Sequence, residues 1–141
     1  MQITKRFVES EGRRAHVLTP IGRLIIGGPC LELREAIREI LRHECKNVVI
    51  TMAEVPYVDS SGMGELVSAY TTVCGKGGNL KIVALTPKLR DYLKGVKLDT
   101  VFDIFEDQDS ALRSFPAVIN RGRPASGAVS EDSTAPAENP G

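Results

Sequence analysis

The hydrophobic positions of this chain change period several times between residues 1 and 115, and each change marks an element. Phe7 and Val8 suggest a first strand and Ala15–Ile21 a second, with Glu11-Gly12-Arg13 as a hairpin turn between them. Pro20 cannot donate to a β-ladder, so the end of the second strand is expected at an edge or bulge. Gly27-Gly28-Pro29 interrupts the pattern, and Pro29 suits the first turn of a helix. Leu33, Ala36, Ile37, Ile40 and Leu41 then fall on one helical stripe, with Arg34, Glu35, Arg38, Glu39 and Arg42 on the opposite, wet side. Asn47–Met52 is a short continuous apolar run, as expected of a strand covered on both faces. Met63, Leu66, Val67, Tyr70, Val73 and Cys74 predict a second helix, ended by Gly75 to Gly78. Leu80–Leu85 reads as another buried strand, and Thr86-Pro87 as an N-cap followed by proline at the first helical position. Leu89, Tyr92, Leu93 and Val96 give a third helix with Gly95 near its C-cap, Val101–Phe105 a last short strand, and Asp107–Ser114 a final short helix. The alternation predicts an α/β fold: a mixed, mainly parallel sheet that begins with an antiparallel hairpin and carries about four helices.

Composition changes at Pro116. Residues 116–141 contain almost no large apolar side chain and cannot offset the entropy of their own ordering, so a domain over residues 1–115 followed by a disordered tail over 116–141 is expected. The 18 Lys and Arg balance 18 Asp and Glu, which argues against direct nucleic-acid binding, since that needs a basic face. No apolar run approaches the roughly 18 residues needed to cross a bilayer, so no membrane insertion is expected. Met1 to Ser10 has no apolar core of a signal peptide, so the cytoplasm is the expected compartment. Cys30, Cys45 and Cys74 lack C-x-x-C spacing and read as small core residues. His16 and His43 have no ligand-spaced partners and read as structural, so neither a metal nor a cofactor is expected. These counts make an autonomous enzyme improbable.

One junction carries more information. Pro56-Tyr57-Val58-Asp59-Ser60-Ser61-Gly62-Met63-Gly64 lies between the third strand and the second helix. Asp59 or Ser60 can cap the helix, the glycines permit close approach of another backbone or a partner, and the exposed amides favour a phosphate. A bare N-cap and turn would look the same. A nucleophile elbow is absent, because the residue two before Ser60 is Val58 and the one two before Ser61 is Asp59, with no histidine placed as base. Gly75-Lys-Gly-Gly-Asn79 lacks the spacing of a P-loop, so any phosphate chemistry here needs ATP supplied by another protein.

Val58 to Gly64, following the strand at Val48–Met52, resembles the signature of the STAS domain, and more narrowly that of the bacterial anti-sigma-factor antagonists. The resemblance runs over roughly residues 3–114 and takes in Gly22-Arg23-Leu24, Gly77 to Ile82, Ala84 to Leu89 and Leu98 to Phe105. It implies a STAS-like fold and a regulatory binding protein that sequesters an anti-sigma factor, itself a serine kinase, and so frees a sigma factor. It also implies phosphorylation at Ser60, a partner surface at Asp59, Ser60, Ser61, Gly62, Met63 and Gly64, resetting by a PP2C-type phosphatase, and a monomer or weak dimer. The alternative is a non-switching STAS scaffold or a transporter-associated module. The chain departs from the family at Ile25, where many phosphorylatable antagonists carry an acidic residue. Either Ile25-Ile26-Gly27-Gly28 packs down onto the domain, or it gives the partner surface a different shape.

Overall fold

The computed structural model describes residues 1–116, of which Met1–Glu9 and Arg14–Phe115 form one compact unit. The element order is β1 (Gln2–Ser10), β2 (Arg13–Ile21), α1 (Gly28–Ile40), β3 (Asn47–Thr51), α2 (Ser60–Gly75), β4 (Asn79–Val83), α3 (Pro87–Gly95), β5 (Asp103–Phe105) and α4 (Gln108–Arg113). The five strands lie in sequence order across one sheet, β1 antiparallel to β2 and the others parallel. This is the mixed sheet that the alternation predicts.

The period of two along the strands decides which core each residue enters. Leu18, Val48, Ile50, Leu80 and Ile82 point to the larger core, roofed by α1, α2 and α3. Val17, Val49 and Val83 point to the other face, where Ala111, Leu112 and Phe115 cover them. Val48, Val49 and Ile50 are therefore all fully buried, as expected of a strand with a layer on each side.

The strand ends follow local chemistry. β2 pairs with β3 only from His16 to Leu18, so Pro20 lies beyond that ladder, at the kind of position expected for it. The turn between β1 and β2 places Glu11 and Gly12 at positive φ (53° and 78°), which matches the twist of a two-residue hairpin. β1 is longer than the Phe7-Val8 signal suggests, and most of its residues are exposed because it is the edge strand. β5 is shorter than expected: the amide of Val101 donates to the carbonyl of Leu98, which keeps Val101 in the turn.

The cysteines divide. Cys30 is buried in the larger core and Cys45 is half-buried, but Cys74 is exposed on α2. The expectation that all three are core residues fails at Cys74, which lies in the last turn of α2 and is exposed there although it keeps the spacing of the stripe. His16 packs edge-on to Phe7 with ring centroids 4.9 Å apart, lies 5.1 Å from His43, and has its Nε2 3.1 Å from the carbonyl oxygen of Cys45.

The segment expected to be disordered lies, from residue 117 on, outside the described residues. Phe115 is 2% exposed and belongs to the smaller core, whereas Pro116 is exposed. We propose that the domain ends there. A chain stopped after Pro116 is expected to melt within about a degree or two of the full chain. A larger fall in the calorimetric midpoint would show that the distal residues stabilise the fold.

Candidate functional site

The site is built where two loops that follow neighbouring strands are laced together. Beyond Pro20 the amide of Gly22 donates to Glu54 O (3.0 Å), that of Leu24 to Tyr57 O (2.9 Å) and that of Asp59 to Leu24 O (3.1 Å). Leu24 and Val58 thus form an isolated parallel bridge, and Leu24 is fully buried. The β2–α1 loop is thereby fixed against the segment that leads into α2.

Asp59 completes the junction. It is the N-cap of α2, in extended backbone conformation, and its Oδ1 accepts from the amide of Gly62 at 2.7 Å. Its Oδ2 accepts from the amide of Ile26, 33 residues away, at 3.0 Å. These two donors, Gly62 first and Ile26 second, hold the carboxyl below its ordinary value. The carboxylate is therefore a structural latch between the two loops as well as a cap. A group with a depressed folded value stabilises fully above its unfolded value and stops doing so as pH falls through the depressed one. In a urea-denaturation series taken down through the carboxylate range, the wild type is expected to lose this contribution. Asp59→Asn is expected to be less stable at neutral pH and to show a flatter acid dependence. Identical acid profiles for the two proteins would remove the latch.

Ser60 is the first residue of α2 and its side chain is exposed; Ser61 is half-buried. Gly62 is buried, and a Cβ there would lie 2.2 Å from Leu24 O and 2.9 Å from both Leu24 Cγ and Val58 Cγ1. Close approach at Gly62 is therefore to the chain's own backbone. Gly64 is exposed, with nothing within 4 Å of a Cβ placed on it. Met63 is 6% exposed and belongs to the larger core. The six positions thus separate. Ser60 and Gly64 face outward and Asp59 and Ser61 are partly accessible, whereas Gly62 and Met63 are turned inward and offer no contact surface.

The surroundings contain residues to which the motif does not point. Ile26 is 72% exposed, so the tip of the apolar loop after Leu24 does not pack down although Ile25 is half-buried, and Leu31 and Tyr57 are 49% and 45% exposed nearby in the chain. Arg23 lies over the Tyr57 ring, 5.7 Å from its centroid. On the α1 side, Arg34 donates to Glu65 Oε1 at 2.9 Å; Glu65 is 8% exposed and is the only buried charged residue among the described ones. On the other side a cleft of about 320 Å³ separates the β3–α2 segment from α3. Ser60, Tyr57 and Val58 line one wall, and Lys88, Leu89 and Tyr92 the other. Among the described residues no group of three or more His, Cys, Asp or Glu could hold a metal ion, and no helix is long and apolar enough to cross a membrane.

The profile of the STAS domain matches residues 9–111. The chain belongs to the STAS-domain family. This STAS domain is similar in sequence to the "Anti-sigma F factor antagonist" of Paenibacillus polymyxa, 25% identical over 88 residues that span 62% of this chain and 73% of that protein. In structure it resembles a Thermotoga maritima protein with a TM-score of 0.70 at 20% identity, covering 79% of this chain and 92% of that one. It also resembles the anti-sigma factor antagonist SpoIIAA of Bacillus in its phosphorylated form, with a TM-score of 0.60 at 15% identity, covering 79% and 98%. The expected family, and the fold that it implies, are those found.

Proposed function

We propose that this STAS domain is an anti-sigma factor antagonist: it binds an anti-sigma factor through the surface at the start of α2, frees the sigma factor, and is switched off by phosphorylation of Ser60. The observation that carries this reading is the contrast at two adjacent residues. The Asp59 carboxylate is held on two amides, while the neighbouring Ser60 hydroxyl is exposed on a fixed helix start. A kinase needs such a reachable hydroxyl, and a partner interface needs such a rigid surround. The relative in Paenibacillus polymyxa supports the role by its name, and SpoIIAA, solved phosphorylated, is a protein of this fold that carries the modification.

In the proposed cycle the anti-sigma factor is also the kinase. The Ser60 Oγ attacks the γ-phosphorus of its bound ATP, the bond to ADP breaks, and the hydroxyl proton passes to a base on the kinase. The product carries about −1.5 to −2 charges at pH 7, in a place where the unmodified protein presents a neutral hydroxyl on the wall that Tyr57 and Val58 also line. Such a charge is tolerated in water and opposed in a desolvated contact. A PP2C-type phosphatase then hydrolyses the ester and restores the hydroxyl. The protein itself catalyses nothing in this scheme and acts in the cytoplasm.

Incubation with the cognate kinase and Mg-ATP is expected to add one phosphate, which tandem mass spectrometry places on Ser60. Ser60→Ala is expected to remain unmodified, and Ser61→Ala to be phosphorylated still. A phosphate found on Ser61 instead would overturn the assignment of the residue.

A further inference from the structure

The cleft beside Ser60 has an apolar floor and one cation at its edge. Val58, Leu89 and Tyr92 form much of the lining, and Lys88 is its only basic residue. Lys88 is the second residue of α3, whose N-cap Thr86 accepts from the amide of Leu89. It is exposed and makes no ion pair among the described residues, whereas Lys5, Arg34, Lys81 and Arg90 each lie within 4.0 Å of a carboxylate. A lysine in the first turn of a helix opposes the helix dipole, so the charge of Lys88 does not serve the stability of α3. Its flexible four-carbon stem lets the ammonium sweep the mouth of the cleft that Ser60 lines from the opposite wall.

We infer that Lys88 is the receiver of the Ser60 phosphate: on modification its ammonium pairs with the phosphate across the cleft, holding the added charge within the chain and closing the apolar cleft to a partner. The inference rests on the reading of Ser60 as the modified residue. It adds to that reading where the phosphate goes and which surface is lost. The other charged and titratable groups nearby are less suited to the role. Arg34 is already paired with Glu65, and Arg23 lies over Tyr57. Asp59 repels a phosphate, and the side chains of Tyr57 and Tyr92 offer no positive charge. Modification therefore need not rearrange the fold: a single side chain moving over the cleft changes both the charge and the shape of the surface.

The test uses the full chain with phosphoserine inserted at position 60 during translation, and reads the second ionisation of its phosphate by ³¹P NMR titration. No partner protein is required. Lys88→Gln is expected to raise this pKa by about 0.2–0.7 unit, the range that an exposed pair of about 0.2–1 kcal/mol produces. Lys88→Arg is expected to keep the lower value, and Arg34→Gln to leave it unchanged. Equal titration of the parent and Lys88→Gln proteins would overturn the inference, as would a shift in Arg34→Gln alone. Because Lys88 is exposed, Lys88→Gln and Lys88→Arg are expected to melt with the parent; if Lys88→Gln does not, Lys88→Met is titrated in its place against Lys88→Arg. A negative result here leaves the partner switch standing. Conversely, a partner that binds regardless of the charge at residue 60 would end the switch without touching this measurement.

Discussion

Gly62→Val is expected to destabilise the domain by about 2–6 kcal/mol. The figure combines the cost of forcing side-chain volume into a packed site, about 1–3 kcal/mol, with that of a disrupted buried hydrogen bond, about 1–3 kcal/mol. The first atom met is Leu24 O, 2.2 Å from the new Cβ, and this is backbone, so no rotamer change relieves the contact. Leu24 O also accepts from the amide of Asp59, so pushing it away opens the lacing between the two loops. The same displacement strains the Asp59 latch to Ile26, which makes the damage local to the proposed switch as well as global. Gly62→Ala already brings the Cβ into that contact and is expected to fall in the lower part of this range. Gly64→Ala is the control: nothing lies within 4 Å of its Cβ, and alanine is favoured over glycine in a helix by up to about 1 kcal/mol. Urea denaturation of the three proteins decides the matter. A Gly62→Ala variant as stable as the parent would show that the two loops are not held at this point.

The outline of the fold could be read from the sequence because its strong signals come from burial. β3 has three consecutive core residues and α1 has a clean stripe, and both appear close to where the pattern puts them. β1 was hard to read because an edge strand need not be apolar, and seven of its nine residues are exposed. The end of β5 was hard to read because Val101 is apolar yet belongs to a turn set by its bond to Leu98.

In the site, capping chemistry was readable from local spacing: Asp59 caps the amide three residues on. Its second bond, to Ile26, was not, because a contact over 33 residues leaves no periodic trace and a backbone amide is offered by any residue but proline. The roles of Gly62 and Gly64 were indistinguishable in the sequence, since both simply lack a side chain; only the position of Leu24 separates them. Met63 sits inside the motif yet follows the helical stripe into the core, so its place in a contiguous motif did not tell which way its side chain faces. Lys88 was legible only as part of the Ala84–Leu89 stretch and not as a neighbour of the motif, for it lies on a different element and lines the same cleft as Ser60.

The largest expected effect on function belongs to Ser60→Asp. Binding to the cognate anti-sigma factor is expected to weaken by about 2–5 kcal/mol, the usual cost of a charge left unpaired in an interface. That corresponds to a loss of about 30-fold to about 4,000-fold in affinity. Ser60→Ala is expected to bind as tightly as the parent, because it removes a hydroxyl from an exposed position and leaves the Asp59 latch in place. Isothermal calorimetry separates the two outcomes, and repeating it at high salt identifies the cause. Repulsion between exposed charges is screened within about 10 Å at 0.1 M salt and weakens further above that, whereas the cost of burying a charge persists. A loss that survives high salt therefore places Ser60 inside the contact, and a loss that salt abolishes places it at the rim. If Ser60→Asp binds with the affinity of the parent in both conditions, a negative charge at this position does not gate the partner, and the domain binds without a switch.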